Sequence, residues 1–370
     1  MIDFTGIERQ IEFEKPDLER IFQEVLDSGQ FVNGDNVKLF EGDLAKFLGV
    51  SEVISTGSGT SSLEIVIRYL ASLGRKRIAT AANAGGYASL AAFAAKIDVV
   101  LIDCDKESGL LSQEQLDEVF LQNPFDVLVY TYLYGNCEGM SYIIEFCRKN
   151  GVTLVEDCAQ SIGLQTDLGI AGTIGDFSCF SFYPTKNLGA LGDGGAIVAK
   201  DQENSEKLRK LKQYGWAQKY SIEESGGTNS RMDEIQAAIL RYRLTLLNDW
   251  NFKRLSVLNS YKSSIHESWG SFMNFNTSVA HLAVFSSSDL EATTTTLKSN
   301  GVGIGRHYPI SDNKQKAWKE YFYTQRVPNS EYLCAGVVSL PCHPFLMESE
   351  IRHVCEILSI DLNSLTVKYI

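Results

Sequence analysis

The chain has 370 residues, 44% hydrophobic and 22% charged, with seven prolines and no low-complexity tract. That excludes disordered and collagen-like classes and predicts two domains. A net charge of −12 without a dense basic run argues against nucleic acid as a main partner. No apolar stretch reaches membrane-spanning length, and the opening "MIDFTGIERQIEFEKP" has no apolar signal core. The eight cysteines are scattered without a CxxC pair, so a cytoplasmic chain with free thiols and no metal site is expected.

Residues 16–48 carry helical periodicity, interrupted at "GQFVNGDNV". "VSEVISTGSGTSSLEIVIRYLASLG" then reads as a short strand, a Gly/Ser/Thr turn and an amphipathic helix. Short apolar runs alternate with helical patterns from there, through "RIAT", "YASLAAFAAK", "DVVLIDCD", "SQEQLDEVFLQ", "FDVLVYTYLYG", "MSYIIEFCRKNG" and "VTLVEDCAQ". Strands rich in valine and isoleucine, alternating with helices, imply βαβ units and a mostly parallel sheet. "FSCFSFY" and "GGAIVAK" add two strands and complete a large α/β domain over 1–245. The long helical stretch "RMDEIQAAILRYRLTLLNDWNFKRLSVLNSYKSSI" bridges to a smaller α+β domain over 246–370, which holds "HLAVFSS", "GVVSLPCHPF" and "MESEIRHVCEIL".

In parallel α/β sheets ligands bind at the carboxyl ends of the strands, so the residues there are the candidates. After the first strand, Gly57, Gly59, Thr60 and Ser61 open a helix. Such a turn is either a phosphate cradle or a plain helix cap. "VTLVEDCAQ" ends a buried strand with Glu156, Asp157 and Gln160, where a capping role is the alternative to a site role. Lys186 follows, between the aromatic run "FSCFSFY", which holds Ser181, and the glycine-rich "GALGDGG". An ammonium in a buried turn is costly, so Lys186 is either a surface residue at a strand end or needed there as an amine. Asn229, Arg231 and Asp233 open the long helix, as an anion site or as a capped start with a surface ion pair. Together these describe a phosphate cradle, a strand-end carboxylate and a lysine. Pyridoxal 5′-phosphate needs that set: an amine for its Schiff base, a carboxylate for its pyridine nitrogen, and a phosphate site.

"VEDCAQSIG", "GDFSCFSFYPTKNLGALGDGGAIV" and "NSRMDEIQAAIL", in this order and spacing, resemble the DegT/DnrJ/EryC1/StrS group of sugar-nucleotide aminotransferases, from about residue 25 to the C-terminus. The resemblance implies fold type I, pyridoxal 5′-phosphate as cofactor, and a homodimer with shared active sites. It implies that Lys186 carries the cofactor and moves the proton. Asp157 then pairs with the pyridine nitrogen, and Gln160 lies near the ring hydroxyl. Gly59, Thr60, Ser61 and Ser181 hold the phosphate, while Asn229 serves the neighbouring subunit's phosphate. Where the family usually has a ring over the cofactor, this chain has Gly86, with Tyr87 beside it as the candidate to supply the ring.

Substrate contacts are expected from Tyr183, Arg231, His307 and Tyr308, with Arg306 or Lys314 as further cations for a nucleotide diphosphate. The "HYP" form at 307–309 resembles members that aminate 3-keto sugars, although "SDNKQ" puts Asn313 and Lys314 where members usually have a second histidine. The implied reaction moves the amino group of L-glutamate to a nucleotide-linked keto-deoxyhexose, at C3 of a dTDP sugar. Amination of a 4-keto sugar, a dehydratase relative and a regulator with the same fold are the alternatives. The lysine in "YPTKN" argues against the dehydratase branch, which has histidine there. "TGSGTSSLE" matches the dinucleotide fingerprint poorly.

Overall fold

The alternating apolar pattern builds a seven-stranded sheet in the computed structural model, which describes residues 1–274 and 277–366. Its strands are β1 (Ile54–Thr56), β2 (Arg77–Ala81), β3 (Asp98–Ile102), β4 (Val127–Thr131), β5 (Thr153–Asp157), β6 (Phe177–Ser181) and β7 (Gly195–Ala199). They lie in the order β1-β7-β6-β5-β4-β2-β3. β7 alone runs against the rest, pairing antiparallel with β1 and β6, while all other neighbours are parallel. Successive strand residues alternate between faces. Leu128, Tyr130, Leu154 and Phe180 enter one buried core with Phe40 and Leu44. Val127, Val129, Val155 and Cys179 enter another with Leu63 and Val66. A sheet covered on both faces explains why its strands read as nearly unbroken apolar runs.

The helices that position the site are α1 (Ile7–Ser28), α2 (Asp35–Leu48), α3 (Gly59–Ser72), α4 (Tyr87–Ala95), α5 (Gln113–Gln122), α6 (Met140–Asn150) and α7 (Gln202–Leu211). The stretch read as one long bridging helix is two, α8 (Glu234–Leu244) and α9 (Leu247–Ser264), separated at Thr245 and Leu246. α1 starts well before residue 16, behind a left-handed Gly6. A second, antiparallel sheet of β8 (Gly270–Phe272), β9 (Ala283–Ser287) and β10 (Val337–Leu340) has its own core of Trp269, Phe285, Val338 and Leu340, which Val257, Leu258 and Tyr261 of α9 join.

Chain segments cross between these two cores. Ile2 bridges to Val302 and is buried among the second core's residues. In return Phe322 and Val327 pack into the first sheet's core, where Trp318 meets Phe93 of α4. Among the described residues no helix is long and apolar enough to cross a membrane.

Candidate active site

β1, β5 and β6 point the same way, so their carboxyl ends share one edge of the sheet. Thr56 faces Gly195, Gly195 faces Ser181, and Asp157 faces Cys179 on the next strand. From β1 the chain passes Ser58, whose Oγ accepts the Ser61 amide at 3.1 Å and caps α3. The turn is a helix cap, and its first residues also open on a cavity. Two glycines permit the close approach. A Cβ on Gly59 would lie 2.5 Å from Ser181 Cβ, and one on Gly195 would lie 2.4 Å from the Ser58 carbonyl carbon.

The cavity encloses about 480 Å³. Gly59, Thr60 and Ser181 line it on the side of the helix start, and Asp157 and Lys186 line it at the strand ends. Tyr87, Tyr183, His307 and Tyr308 also reach it. Ser61, Asn229 and Arg231 do not. They line an adjoining hollow that shares Ser58 and Asp193 with the cavity. Gln160 stands behind the wall: its Oε1 accepts the Tyr134 amide at 2.6 Å, and its Nε2 donates to the Tyr308 hydroxyl at 2.9 Å. Arg306 spends its guanidinium on the carbonyls of Cys334, Ala335 and Val337, at the end of α10 (Pro328–Gly336). Lys314 pairs with Glu331 at 3.1 Å. Neither of these two cations lines the cavity.

Of the two carboxylates ending β5, adjacent residues facing opposite ways, only Asp157 faces the cavity. Glu156 accepts five hydrogen bonds, from the Tyr132 hydroxyl, the amides of Gly172, Ile174 and Gly175, and the Ser178 hydroxyl. It is a structural anchor. Asp157 is 4% exposed and accepts from the Ala159 amide and the Thr131 hydroxyl, each at 3.1 Å. Burial pushes its pKa up, against those two hydrogen bonds and the charge of Lys186. A buried carboxylate with so little compensation is suited to a cationic ring nitrogen.

Lys186 leaves β6 through a tight turn in which its amide donates to the Tyr183 carbonyl at 2.8 Å. A Cβ on Gly189 would sit 2.5 Å from the Pro184 carbonyl oxygen, so the turn closes only around glycine. Burial lowers the lysine pKa to about 8, with Asp157 opposing the shift. Its amine is therefore partly neutral near physiological pH, which a nucleophile or base requires.

Gly86 cannot carry a ring here: it is left-handed, with φ at 79°, and a Cβ would lie 2.9 Å from the Trp318 ring. The Tyr87 ring, 44% exposed, instead meets Tyr308 edge-on at 6.2 Å over the cavity. His307 stacks on Phe4 at 5.7 Å, and its Nδ1 lies 2.8 Å from the Ser339 hydroxyl. Burial, with the charge of Lys186, drops its pKa to about 4, so its ring is neutral at pH 7.

Among the cavity residues that sequence reasoning missed are His281 and Arg254. His281 precedes the strand read in "HLAVFSS", and its Nδ1 is 2.9 Å from Asn187 Oδ1. The Asn187 amide nitrogen already donates to Asn251 and to the Val279 carbonyl, so its oxygen faces the imidazole, Nδ1 carries the proton, and Nε2 keeps a lone pair. Burial, with Lys186 and Arg254 nearby, holds the ring neutral. The one sequence-level hint was a histidine opening an otherwise apolar strand.

A strand-end lysine facing a buried carboxylate, beside a glycine-lined helix start, on this sheet order defines a fold type I pyridoxal-phosphate enzyme. The chain belongs to the DegT/DnrJ/EryC1/StrS aminotransferase family, whose model matches residues 13–359, and it is a pyridoxal-phosphate-dependent sugar aminotransferase. It is 34% identical over 252 residues to a dTDP-3-amino-3,4,6-trideoxy-alpha-D-glucose transaminase of Micromonospora megalomicea subsp. nigra, covering 68% of this chain and 67% of that one. It is 33% identical to a dTDP-3-amino-3,6-dideoxy-alpha-D-galactopyranose transaminase of Aneurinibacillus thermoaerophilus, over 96% of this chain and 98% of that one. Among solved structures, NtdA from Bacillus subtilis with bound cofactor PMP superposes with a TM-score of 0.89 at 26% identity, covering 98% of this chain and 85% of that one.

Proposed function

We propose that the protein transfers the amino group of L-glutamate to C3 of a dTDP-linked 3-keto-6-deoxyhexose, as a homodimer with shared active sites. The observation that carries this reading is that Lys186 and Asp157 line one cavity, each within the other's electrostatic reach, whose wall also includes His307 and Tyr308. The choice of a dTDP sugar and of C3 is supported by the names of the Micromonospora and Aneurinibacillus relatives. Sharing of sites is supported by Asn229 and Arg231, which face a hollow next to the cavity rather than the cavity itself.

When bound, pyridoxal phosphate supplies a carbonyl carbon that takes up the amine and a ring that holds the electron pair left behind by a departing proton. The protein does the rest. Lys186 Nζ, with its depressed pKa, takes the proton from the donor's α carbon and delivers it on the same face. Asp157, held by Thr131 and Ala159, keeps the ring nitrogen protonated, because a carboxylate out of water strongly favours a cation beside it. The start of α3, with Thr60, and the Ser181 hydroxyl hold the phosphate. Tyr87 covers the ring face. Tyr308, fixed by Gln160, and the neutral His307 contact the sugar, while the Phe4 stack sheds water from that end.

The test is the absorption spectrum of the purified protein with pyridoxal phosphate, before and after L-glutamate, beside Lys186→Ala. The wild type should be yellow and bleach with glutamate, and the variant should lack the lysine-bound band. The bleached enzyme is then offered 3-keto and 4-keto dTDP sugars. Recovery of colour with the 4-keto sugar alone would overturn the C3 assignment. A protein that stays colourless with added cofactor would overturn the enzymatic reading and leave the regulator.

A further inference from the structure

One side chain on the cavity wall has no task in the mechanism above. Arg254, on α9, is 8% exposed and lines the cavity with His281 and Cys342. Its hydrogen bonds all leave from Nη1, to the carbonyl oxygens of Cys342 and His281. Nε is buried without a partner, and among the described residues no carboxylate contributes to its electrostatic surroundings. A guanidinium does not shed its proton at neutral pH, so this is a buried charge lacking a counter-ion.

Two other buried cations are paired. Arg243 holds both oxygens of Glu14 with its Nε and Nη2 and gives Nη1 to the carbonyls of Gly189 and Ala190. Lys212 pairs with Glu41. Arg254 repeats the Arg243 arrangement with one part missing: Nη1 on two carbonyls, and the Nε–Nη2 edge without its carboxylate. That edge is the fork that takes a carboxylate in two parallel bonds.

The position indicates which anion belongs there. Arg254, His281 and Lys186 line the same cavity, so the guanidinium and the lysine amine serve one ligand space. An amino acid whose nitrogen is delivered where Lys186 works carries its carboxylate one carbon further on. A nucleotide diphosphate would lie a whole sugar ring away from the reacting carbon.

We propose that Arg254 is the carboxylate clamp of the amino-donor subsite, taking the α-carboxylate of L-glutamate on its Nε–Nη2 edge and releasing it with 2-oxoglutarate. This rests on the aminotransferase reading of the same cavity.

The experiment compares wild-type, Arg254→Gln and Arg254→Lys holoenzymes. Calorimetry measures binding of glutarate, an unreactive dicarboxylate, and of dTDP. Rapid mixing measures bleaching by L-glutamate as a function of its concentration. Arg254→Gln should weaken glutarate and raise the half-saturating glutamate concentration by at least about 30-fold, with the saturating rate changed far less and dTDP affinity unaltered. Arg254→Lys, keeping the charge but losing the fork, should fall between. If Arg254→Gln does not fold, Arg254→Lys decides, with an expected loss of about tenfold. Glutarate and glutamate values like the wild type's, even alongside a lower melting temperature, would show a purely structural clamp and overturn the proposal. Weakened dTDP with unchanged glutarate would overturn it in favour of the nucleotide. A wild-type protein that glutamate does not bleach would instead sink the aminotransferase reading, while the glutarate comparison still tests Arg254.

Discussion

Lys186 shows how one residue's environment sets its chemistry. Its pKa falls from 10.5 to about 8 because burial penalises the ammonium more than Asp157 supports it. Cofactor capture needs the neutral amine, so reconstitution of the cofactor-free protein should speed up about tenfold per pH unit below 8 and level off above it. Stopped-flow absorbance against pH measures this; a profile still climbing at pH 10 would contradict the depressed value. The same shift governs stability. Between pH 8 and 10.5 the unfolded chain binds more protons at this lysine than the folded one, so stability rises with pH across that window and the penalty is fully present below it. Cofactor-free Lys186→Met should therefore melt a few degrees above the wild type at pH 7, with the gap closing above pH 8. Calorimetry at both pH values gives the comparison.

Single elements act by how closely they approach. The start of α3 comes against β6 only because residue 59 has no side chain. Gly59→Ala would press on Ser181, an overpacking that costs about 1–3 kcal/mol, and should loosen pyridoxal phosphate while leaving the far-ultraviolet spectrum intact. Equilibrium dialysis against the cofactor reads the loss; unchanged affinity would remove this helix start from the phosphate site. At the neighbouring strand end, Glu156 ties the 172–175 loop to β5 with three of its five accepted bonds and takes the other two from Tyr132 and Ser178. Glu156→Gln turns an acceptor into a donor facing donors and should cost about 2–3 kcal/mol in urea unfolding. A loss below about 1 kcal/mol would mean the loop re-forms its bonds elsewhere.

The whole molecule assembles its cavity from both cores. Phe4 arrives from the N-terminal segment, Arg254 from α9, His281 from the segment just before β9, and His307 and Tyr308 from the segment beyond Val302. The proposed homodimer adds one more layer. If Asn229 serves the neighbour's phosphate, inactive Lys186→Ala and weakened Asn229→Ala chains should complement each other when refolded together. Mixed dimers would then hold one site with both residues native. Glutamate bleaching of the mixture should exceed the sum of the separate variants; strict additivity would place Asn229 in its own chain's site or in none.

Much of this protein follows from its sequence, for a local reason. Strand runs and helical periodicity repeat every few residues, so the βα order is written along the chain. The "YPTKN" lysine, the "VEDCAQ" carboxylates and the glycine-rich turns sit in contiguous motifs that the sheet order then gathers on one edge. Other decisions needed the tertiary structure. Glu156 and Asp157 are equivalent as letters, and strand alternation turns one to the loop and the other to the cavity. Gly86 and Tyr87 were ambiguous until Trp318, far along the chain, filled the space beside Gly86. Arg306 and Lys314 looked like anion-binding cations until carbonyls and Glu331 engaged them. Arg254 and His281 carried no motif at all. Their meeting with Lys186 depends on how α9 and the second sheet dock on the first, and side chains brought together from distant segments leave no period in a sequence.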